Sequence, residues 1–246
     1  MKCMVFAAGL GTRLKPLTDQ MPKALVPVAG RPLLQILLEK LHSAGFHDVV
    51  INVHHFASMI EEFVSTLHLD GMQVRFSDER DELLETGGGI KHAVSLLQGV
   101  DRFLIHNVDI LSNVDLNAFF RKGEGTQATL LVSPRETQRY LLFDDEMRLV
   151  GWTNVKTGQV KSPYPNLDPM RFHKYAFAGI HQMSTDLFLY FNEWPQKFSI
   201  MDFYLSICHL EPIYGYLKPD LRLMDVGKLD TLHQAEFFLD SISSHP

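Results

Sequence analysis

Residues 2–30 read KCMVFAAGLGTRLKPLTDQMPKALVPVAG, an apolar run followed without a break by a basic, punctuated one. From Cys3 to Ala8 every side chain is apolar, which predicts a central parallel strand buried on both faces. Gly9 ends it. Gly11, Pro16, Pro22, Pro27 and Gly30 then mark a long loop over residues 9–31. Loops of that length inside a compact domain are either functional or disordered, and the regular spacing of basic and proline residues favours function.

The loop has the chemistry of an anion site. Gly-x-Gly after a strand lets the backbone approach a ligand closely, because no Cβ intervenes. Its amides can point at phosphate oxygens. Thr12 adds a hydroxyl, Arg13 a bidentate cation and Lys23 a point charge. The prolines lower the entropy lost when the loop orders. Two familiar phosphate motifs do not fit. A dinucleotide fingerprint needs a third glycine where Leu14 stands, and an acidic residue where the second strand runs into Asn52, His54 and His55. The Walker string is absent. A plain Gly-rich turn before a surface loop is the structural alternative.

Outward from this stretch, elements alternate. Pro32 opens a helix with Leu33, Ile36, Leu37, Leu41 and Ala44 on one face, ending at Gly45. A strand is expected at 49–53, a helix at 57–67, a strand at 72–76, a helix at 89–97 and a strand at 102–106. That order predicts an α/β fold with a doubly wound, mostly parallel but mixed sheet. Past residue 125 the pattern changes to a strand at 127–133, a hairpin over 140–152 turning at Asp144-Asp145, and a loop at 156–174. A strand at 175–182, helices at 184–191 and 201–209, a strand at 221–226 and a helix at 228–240 follow. No repeat or linker interrupts residues 1–246, so one domain is expected.

Composition narrows the function classes. Hydrophobic residues are 46% and charged ones 21%, ordinary for a globular chain, so general disorder is not expected. With a net charge of -6 and no basic run, a nucleic-acid groove is not expected. Cys3 and Cys208 are the two cysteines, which suits a reducing compartment better than a disulfide scaffold. The first apolar run is too short for a secretory leader and no stretch suits a membrane span, so a cytoplasmic location is expected.

The strings GLGTRLKPLT and PKALVPV together resemble the sugar-1-phosphate nucleotidyltransferase family over about 20 nearly unbroken positions. The resemblance implies a Rossmann-like, GT-A-like fold, with residues 1–125 as the nucleotide half and 126–246 as the acceptor half. It implies a nucleoside triphosphate and a sugar 1-phosphate as partners and Mg²⁺ as cofactor. Ala8, Gly9, Gly11, Thr12 and Arg13 would wrap the triphosphate, and Lys23 would touch the phosphates near the reacting centre. Within the family, Glu85-Thr86-Gly87-Gly88-Gly89 resembles the base pocket of short uridylyltransferases acting on N-acetylmuramic acid 1-phosphate. Guanylyltransferases for mannose or heptose 1-phosphate are the alternative.

Asp109 follows the fourth expected strand, at the carboxyl end where α/β ligands bind. Hard oxygen ligands suit Mg²⁺. Asp225-Val226-Gly227 matches the setting of the family's second metal-binding aspartate, and its pairing with Asp109 is implied by the resemblance alone. Taken singly, either aspartate reads as a turn or helix cap. One departure is Val108, where the family commonly has glycine; its bulk could alter acceptor binding or weaken activity. A weak nucleotide sensor is therefore a rival of another class, and an NAD-binding oxidoreductase is disfavoured by Leu14. For the acceptor, the resemblance points to Asn107, to Gly179 in the FAGI string, and to Asn154 in place of an absent glutamate. Trp152 could stack on a sugar but reads more readily as a core or hairpin residue, and His54, His55 and His173 lack a third ligand at useful spacing. Arg13, Lys23 and Asp109 are the expected catalytic groups.

Overall fold

A computed structural model describes residues 1–243 of the 246-residue chain. Among these residues the centre is a ten-stranded mixed sheet. Its main path runs Gln159–Lys161, Leu149–Asn154, Arg139–Phe143, His173–Ser184, Arg102–Asn107, Lys2–Phe6, Asp48–Val53, Gln73–Asp78. Ala128–Ser133 and Ile213–Leu217 extend a branch from His173–Ser184.

The first strand is the hub. It pairs in parallel with both Asp48–Val53 and Arg102–Asn107. Cys3 and Val5 join one apolar cluster, which contains the Leu33–Ser43 helix, while Met4 joins the other on the opposite face. A strand buried on both faces needs an unbroken apolar run, as residues 3–8 provide. The second half is largely antiparallel: His173–Ser184 runs against Arg102–Asn107, Ala128–Ser133 and Arg139–Phe143. The sheet is therefore doubly wound and mixed, as the sequence led us to expect; its first half is parallel, whereas its second is more antiparallel than expected, with Ile213–Leu217 parallel to Ala128–Ser133.

Several elements differ from the sequence expectation. The 9–31 loop contains three short 3-10 turns, at Thr12–Leu14, Leu17–Asp19 and Lys23–Leu25, then a small hairpin of Pro27–Val28 with Arg31–Pro32. The helix expected from 89 begins earlier, as Glu85–His92, so the three glycines lie inside it. Close packing rather than propensity keeps glycine there. A Cβ on Gly87 would enter the Phe198 ring and one on Gly88 the Gln196 carbonyl. Residues 156–174 include a strand, Gln159–Lys161, that completes an antiparallel triple with the hairpin. Two further short strands, Ile110–Ser112 and Ile213–Leu217, were not anticipated, being too brief or too interrupted by Gly215 to stand out.

Both cysteines are free, Cys3 buried and Cys208 half-buried, and burial pushes both thiols up. No described helix is long and apolar enough to cross a membrane.

Candidate active site

The carboxyl ends of the parallel strands meet in a cleft of about 250 Å³. Ala8, Gly9 and Lys23 reach it from the opening loop, Asn52 from the second strand, and Asn107, Val108 and Asp109 from the strand Arg102–Asn107 and its end. Glu85 and Thr86 enter from the helix beyond.

Gly11 shapes the opening loop. Its φ of 62° is left-handed, and Thr18 Oγ1 donates to its carbonyl at 2.9 Å. An added Cβ would lie 2.8 Å from Thr18 and 3.0 Å from Lys23 Cβ, so both strain and space reserve the position for glycine. This fold-back turns Lys23 inward, where it is nearly buried and forms an ion pair with Asp109. Thr12 and Arg13 remain exposed on the loop.

Asp225 joins them through the backbone. Leu223–Asp225 pairs antiparallel with Ile110–Ser112, setting Asp225 opposite Ile110, and Val226 N–H donates to the Asp109 carbonyl at 2.9 Å. Arg13 closes the same corner: an added Cβ on Gly227 would sit 2.6 Å from Asp225 Oδ1 and 2.7 Å from an Arg13 guanidinium nitrogen. The Asp225 carboxyl is held above the usual range, first by partial loss of water and then by the charge of Asp109. Lys23, Arg13 and Arg135 pull the other way. Two carboxylates are thus held close, with three cations in range.

Val108 is absorbed by the fold. It is buried in the apolar cluster of the first strand, and its N–H donates to the Phe6 carbonyl at 3.1 Å. Val108 thus packs against the core while bordering the cleft beside Asp109.

Two groups at the cleft were missed in the sequence. Asn52 Oδ1 accepts from the N–H groups of Ala7 at 2.7 Å and Ala8 at 3.2 Å, so the Ala8 amide is engaged within the protein. Asn52 Nδ2 donates to Glu79 Oε1 at 2.8 Å, and Glu79 Oε2 accepts from Leu84 N–H at 3.3 Å. Both side chains are buried, and burial raises the Glu79 carboxyl while the Asn52 and Leu84 bonds oppose the rise. The pair ties the opening loop to the start of the Glu85–His92 helix. Its signal was a polar residue at the end of each of two parallel strands, one central and one at the edge.

That helix enters the cleft unevenly. Glu85 has a left-handed φ of 63°, an uncommon conformation for a residue with a side chain. Glu85 and Thr86 line the cleft, whereas Gly87 and Gly88 N–H groups both point to the Phe198 carbonyl. Thr86 Oγ1 accepts from Ile200 N–H at 3.0 Å.

On the acceptor side, Gly179 and Asn107 meet: an added Cβ on Gly179 would lie 3.0 Å from Asn107 Nδ2. Asn154 is placed elsewhere. Its Oδ1 accepts from Lys156 N–H at 3.0 Å and Thr157 N–H at 3.3 Å, closing the turn of a hairpin. His54 bonds the Glu79 carbonyl and His173 faces Asp145, and no cluster of three His, Cys, Asp or Glu suited to a metal occurs among the described residues.

A strand-end glycine loop carrying cations and a pair of carboxylates at the same sheet edge define a phosphate-handling α/β protein. Residues 2–141 match the nucleotidyl transferase family, and the chain belongs to it. The sugar-1-phosphate nucleotidyltransferase resemblance of the opening motif is thereby borne out.

Among its relatives is the N-acetylmuramate alpha-1-phosphate uridylyltransferase of Caulobacter vibrioides, 48% identical over 108 residues, 43% of this chain and 44% of that one. The enzyme of the same name from Neisseria meningitidis is 42% identical over 121 residues, 49% of this chain and 52% of the other. A mannose-1-phosphate guanylyltransferase from Mycobacterium tuberculosis is 34% identical over 179 residues, 71% of this chain and 48% of the other. The chain thus spans about half the length of these curated relatives.

Solved structures share the fold over nearly the whole chain. HddC from Yersinia pseudotuberculosis, complexed with GMP-PN, has a TM-score of 0.73 at 21% identity, covering 96% of this chain and 98% of that one. UDP-glucose pyrophosphorylase from Acinetobacter baumanii has a TM-score of 0.79 at 17% identity, covering 100% and 94%.

Proposed function

We propose that this protein transfers a nucleotidyl group from a nucleoside triphosphate to a sugar 1-phosphate, releasing pyrophosphate. The observation that carries this reading is the meeting of Lys23, Asp109, Asp225 and Arg13 at the mouth of the glycine loop.

A phosphate oxygen of the sugar 1-phosphate attacks the α-phosphorus. The new O–P bond forms as the bond to the β-phosphate oxygen breaks, and pyrophosphate leaves with that electron pair. Two polyanions must be brought together, so the barrier is mainly positional and electrostatic. Gly9, Gly11 and Thr12 present the loop to the triphosphate, and Arg13 holds the departing pyrophosphate. Lys23 neutralises charge growing on the α-phosphoryl. The acceptor phosphate is already ionised, so no general base is required. Glu85 and Thr86 face the base, held in place by Asn52 and Glu79.

Asp109 and Asp225 suit Mg²⁺, which is commonly held by one or two carboxylates with phosphate oxygens completing its shell. Partial burial, and after it the charge of Asp109, raises the Asp225 carboxyl while Lys23, Arg13 and Arg135 oppose the rise, so a bound cation would favour its ionised form. When bound there, Mg²⁺ supplies charge neutralisation to the two phosphates.

For substrates we favour UTP with N-acetylmuramic acid 1-phosphate, on the strength of the 48% and 42% identical relatives and the ETGGG string. GTP with a mannose or heptose 1-phosphate is the second reading, favoured by the longer 179-residue match to a guanylyltransferase. The test is pyrophosphate release with Mg²⁺, crossing five nucleoside triphosphates against N-acetylmuramic acid, N-acetylglucosamine, glucose and mannose 1-phosphates. Release with one pair, lost in Lys23→Ala and Asp109→Ala, supports the reading and names the substrates. Tight triphosphate binding without release from any pair would favour a nucleotide sensor instead.

A further inference from the structure

A second cleft, of about 410 Å³, opens in the antiparallel half. One wall is the three-stranded sheet of Arg139–Phe143, Leu149–Asn154 and Gln159–Lys161. Its register sets Leu141 opposite Trp152 and Trp152 opposite Lys161. Directly opposed residues share a face, as do residues two apart on one strand. Arg139, Leu141, Trp152 and Lys161 therefore present one surface, and all four line the cleft.

Neighbouring contacts relate this cleft to the candidate reaction centre. Arg135 also lines it, with its Nη2 donating to the Phe177 carbonyl at 3.0 Å. Phe177 stands two residues before Gly179, which abuts Asn107. The Arg135 charge is felt at Asp225 as well. A sugar whose 1-phosphate sits beside Asp109 and Asp225 would extend its ring toward Arg135 and Phe177.

The cleft is cationic. Arg135, Arg139 and Lys161 face a single lining carboxylate, Asp202, which already accepts from Lys161 Nζ at 2.7 Å. Lys161 also lies 5.5 Å from the Trp152 ring centre. No ion pair engages the Arg139 guanidinium among the described residues. An exposed arginine is ordinarily just solvated surface. This one shares a face with the Trp152 ring, in a cleft that Arg135 also lines. A neutral hexose would leave its planar donors without a matching acceptor, whereas a carboxylate matches them bidentately.

We infer that Arg139, aided by Arg135, recognises a carboxylate carried by the acceptor when its ring lies against Trp152 in this cleft. The acceptor class is an acidic N-acetylhexosamine 1-phosphate. This inference rests on the nucleotidyl-transfer reading above and adds the group that selects the acceptor.

N-Acetylmuramic acid differs from N-acetylglucosamine only by a lactyl ether bearing a carboxylate, so the two 1-phosphates make a matched pair. The measurement is the ratio of their kcat/KM values in wild type, Arg139→Gln and Arg139→Lys. Wild type should favour the acidic sugar, and Arg139→Gln should cut that preference roughly 10- to 100-fold, the usual reach of a hydrogen bond to a charged group. Arg139→Lys should restore part of it. A preference unchanged in Arg139→Gln would overturn the inference while leaving nucleotidyl transfer standing. So would a wild-type enzyme that turns over both sugars equally. If neither sugar is turned over, the nucleotidyl-transfer reading for this pair fails, and calorimetric affinities of the same two compounds decide the subsite separately. A tighter acidic sugar whose advantage falls in Arg139→Gln supports it, and equal affinities overturn it.

Discussion

Asp225 and Asp109 are joined by backbone, not merely brought near each other. Asp225 is the last residue of a strand paired with Ile110–Ser112, and the N–H of the next residue donates to the Asp109 carbonyl at 2.9 Å. Their spacing is thus set by a ladder and does not depend on flexible side chains.

This rigidity gives the first prediction. Lys23→Ala, Asp109→Asn and Asp225→Asn should each lower kcat/KM by roughly 100-fold, the loss typical of one well-placed electrostatic group. Asp225→Asn should also raise Tm slightly in the absence of metal, since folding holds that carboxyl above its usual range. Differential scanning calorimetry with and without Mg²⁺ checks it. A variant less stable than wild type in both conditions would contradict an unfavourable, partly buried Asp225 charge.

Asn52 and Glu79 act at one remove, through the loop and helix they connect. Glu79→Ala would leave the Asn52 amide unpaired in a buried site, at a cost of about 1–3 kcal/mol. The expected kinetic effect is a rise in KM for the nucleotide of roughly tenfold or more by the same principle, with a smaller change in kcat. Initial-rate kinetics at saturating acceptor separate these. A change confined to kcat would argue that the pair does not position the nucleotide.

Gly88→Ala sets two effects against each other. In an open helix the change should stabilise by about 0.5–1 kcal/mol. Here the new Cβ meets a backbone carbonyl, that of Gln196, which cannot rotate away. Overpacking costs about 1–3 kcal/mol, so a lower Tm, by several degrees, is expected in thermal denaturation.

Two buried histidines predict an acid-sensitive fold. Burial holds His106 and His181 down to about 3, with the Lys40 charge adding to the effect at His106. Below the ordinary histidine range near 6.5 the unfolded chain takes up protons that the folded one refuses. Stability should therefore fall as pH drops from about 6.5 toward 3, by at most about 1.4 kcal/mol per pH unit for each histidine. Urea titrations across that range measure the slope. His181→Gln should flatten it, and an unchanged slope would remove His181 as a contributor.

Much of the site was legible in local chemistry. The apolar run before Gly9 needed a strand buried on both faces, and Gly11 needed a left-handed turn closed against Thr18 and Lys23. Lys23 stood within that basic, proline-marked loop, and Asp109 just past the end of an expected strand. The glycines after Thr86 were less transparent. Backbone presented to a ligand and backbone packed against Phe198 both call for a missing Cβ, and the string alone does not distinguish them. Asn154 shows the same ambiguity, since an amide can bridge sugar hydroxyls or close a turn, and the fold uses it for the turn.

What the sequence by itself determined was the alternation of elements, the glycine-rich basic loop and the family. Each of these rests on interactions between residues near one another in the chain. Tertiary structure alone decided that Asp225 reaches Asp109, that Asn52 and Glu79 bind the opening loop to the neighbouring helix, and that Arg139, Trp152 and Lys161 share a face. These relations span tens of residues or more, or depend on strand register. A one-residue shift in register turns a side chain to the opposite face of a sheet, so such contacts exist only once the strands have paired.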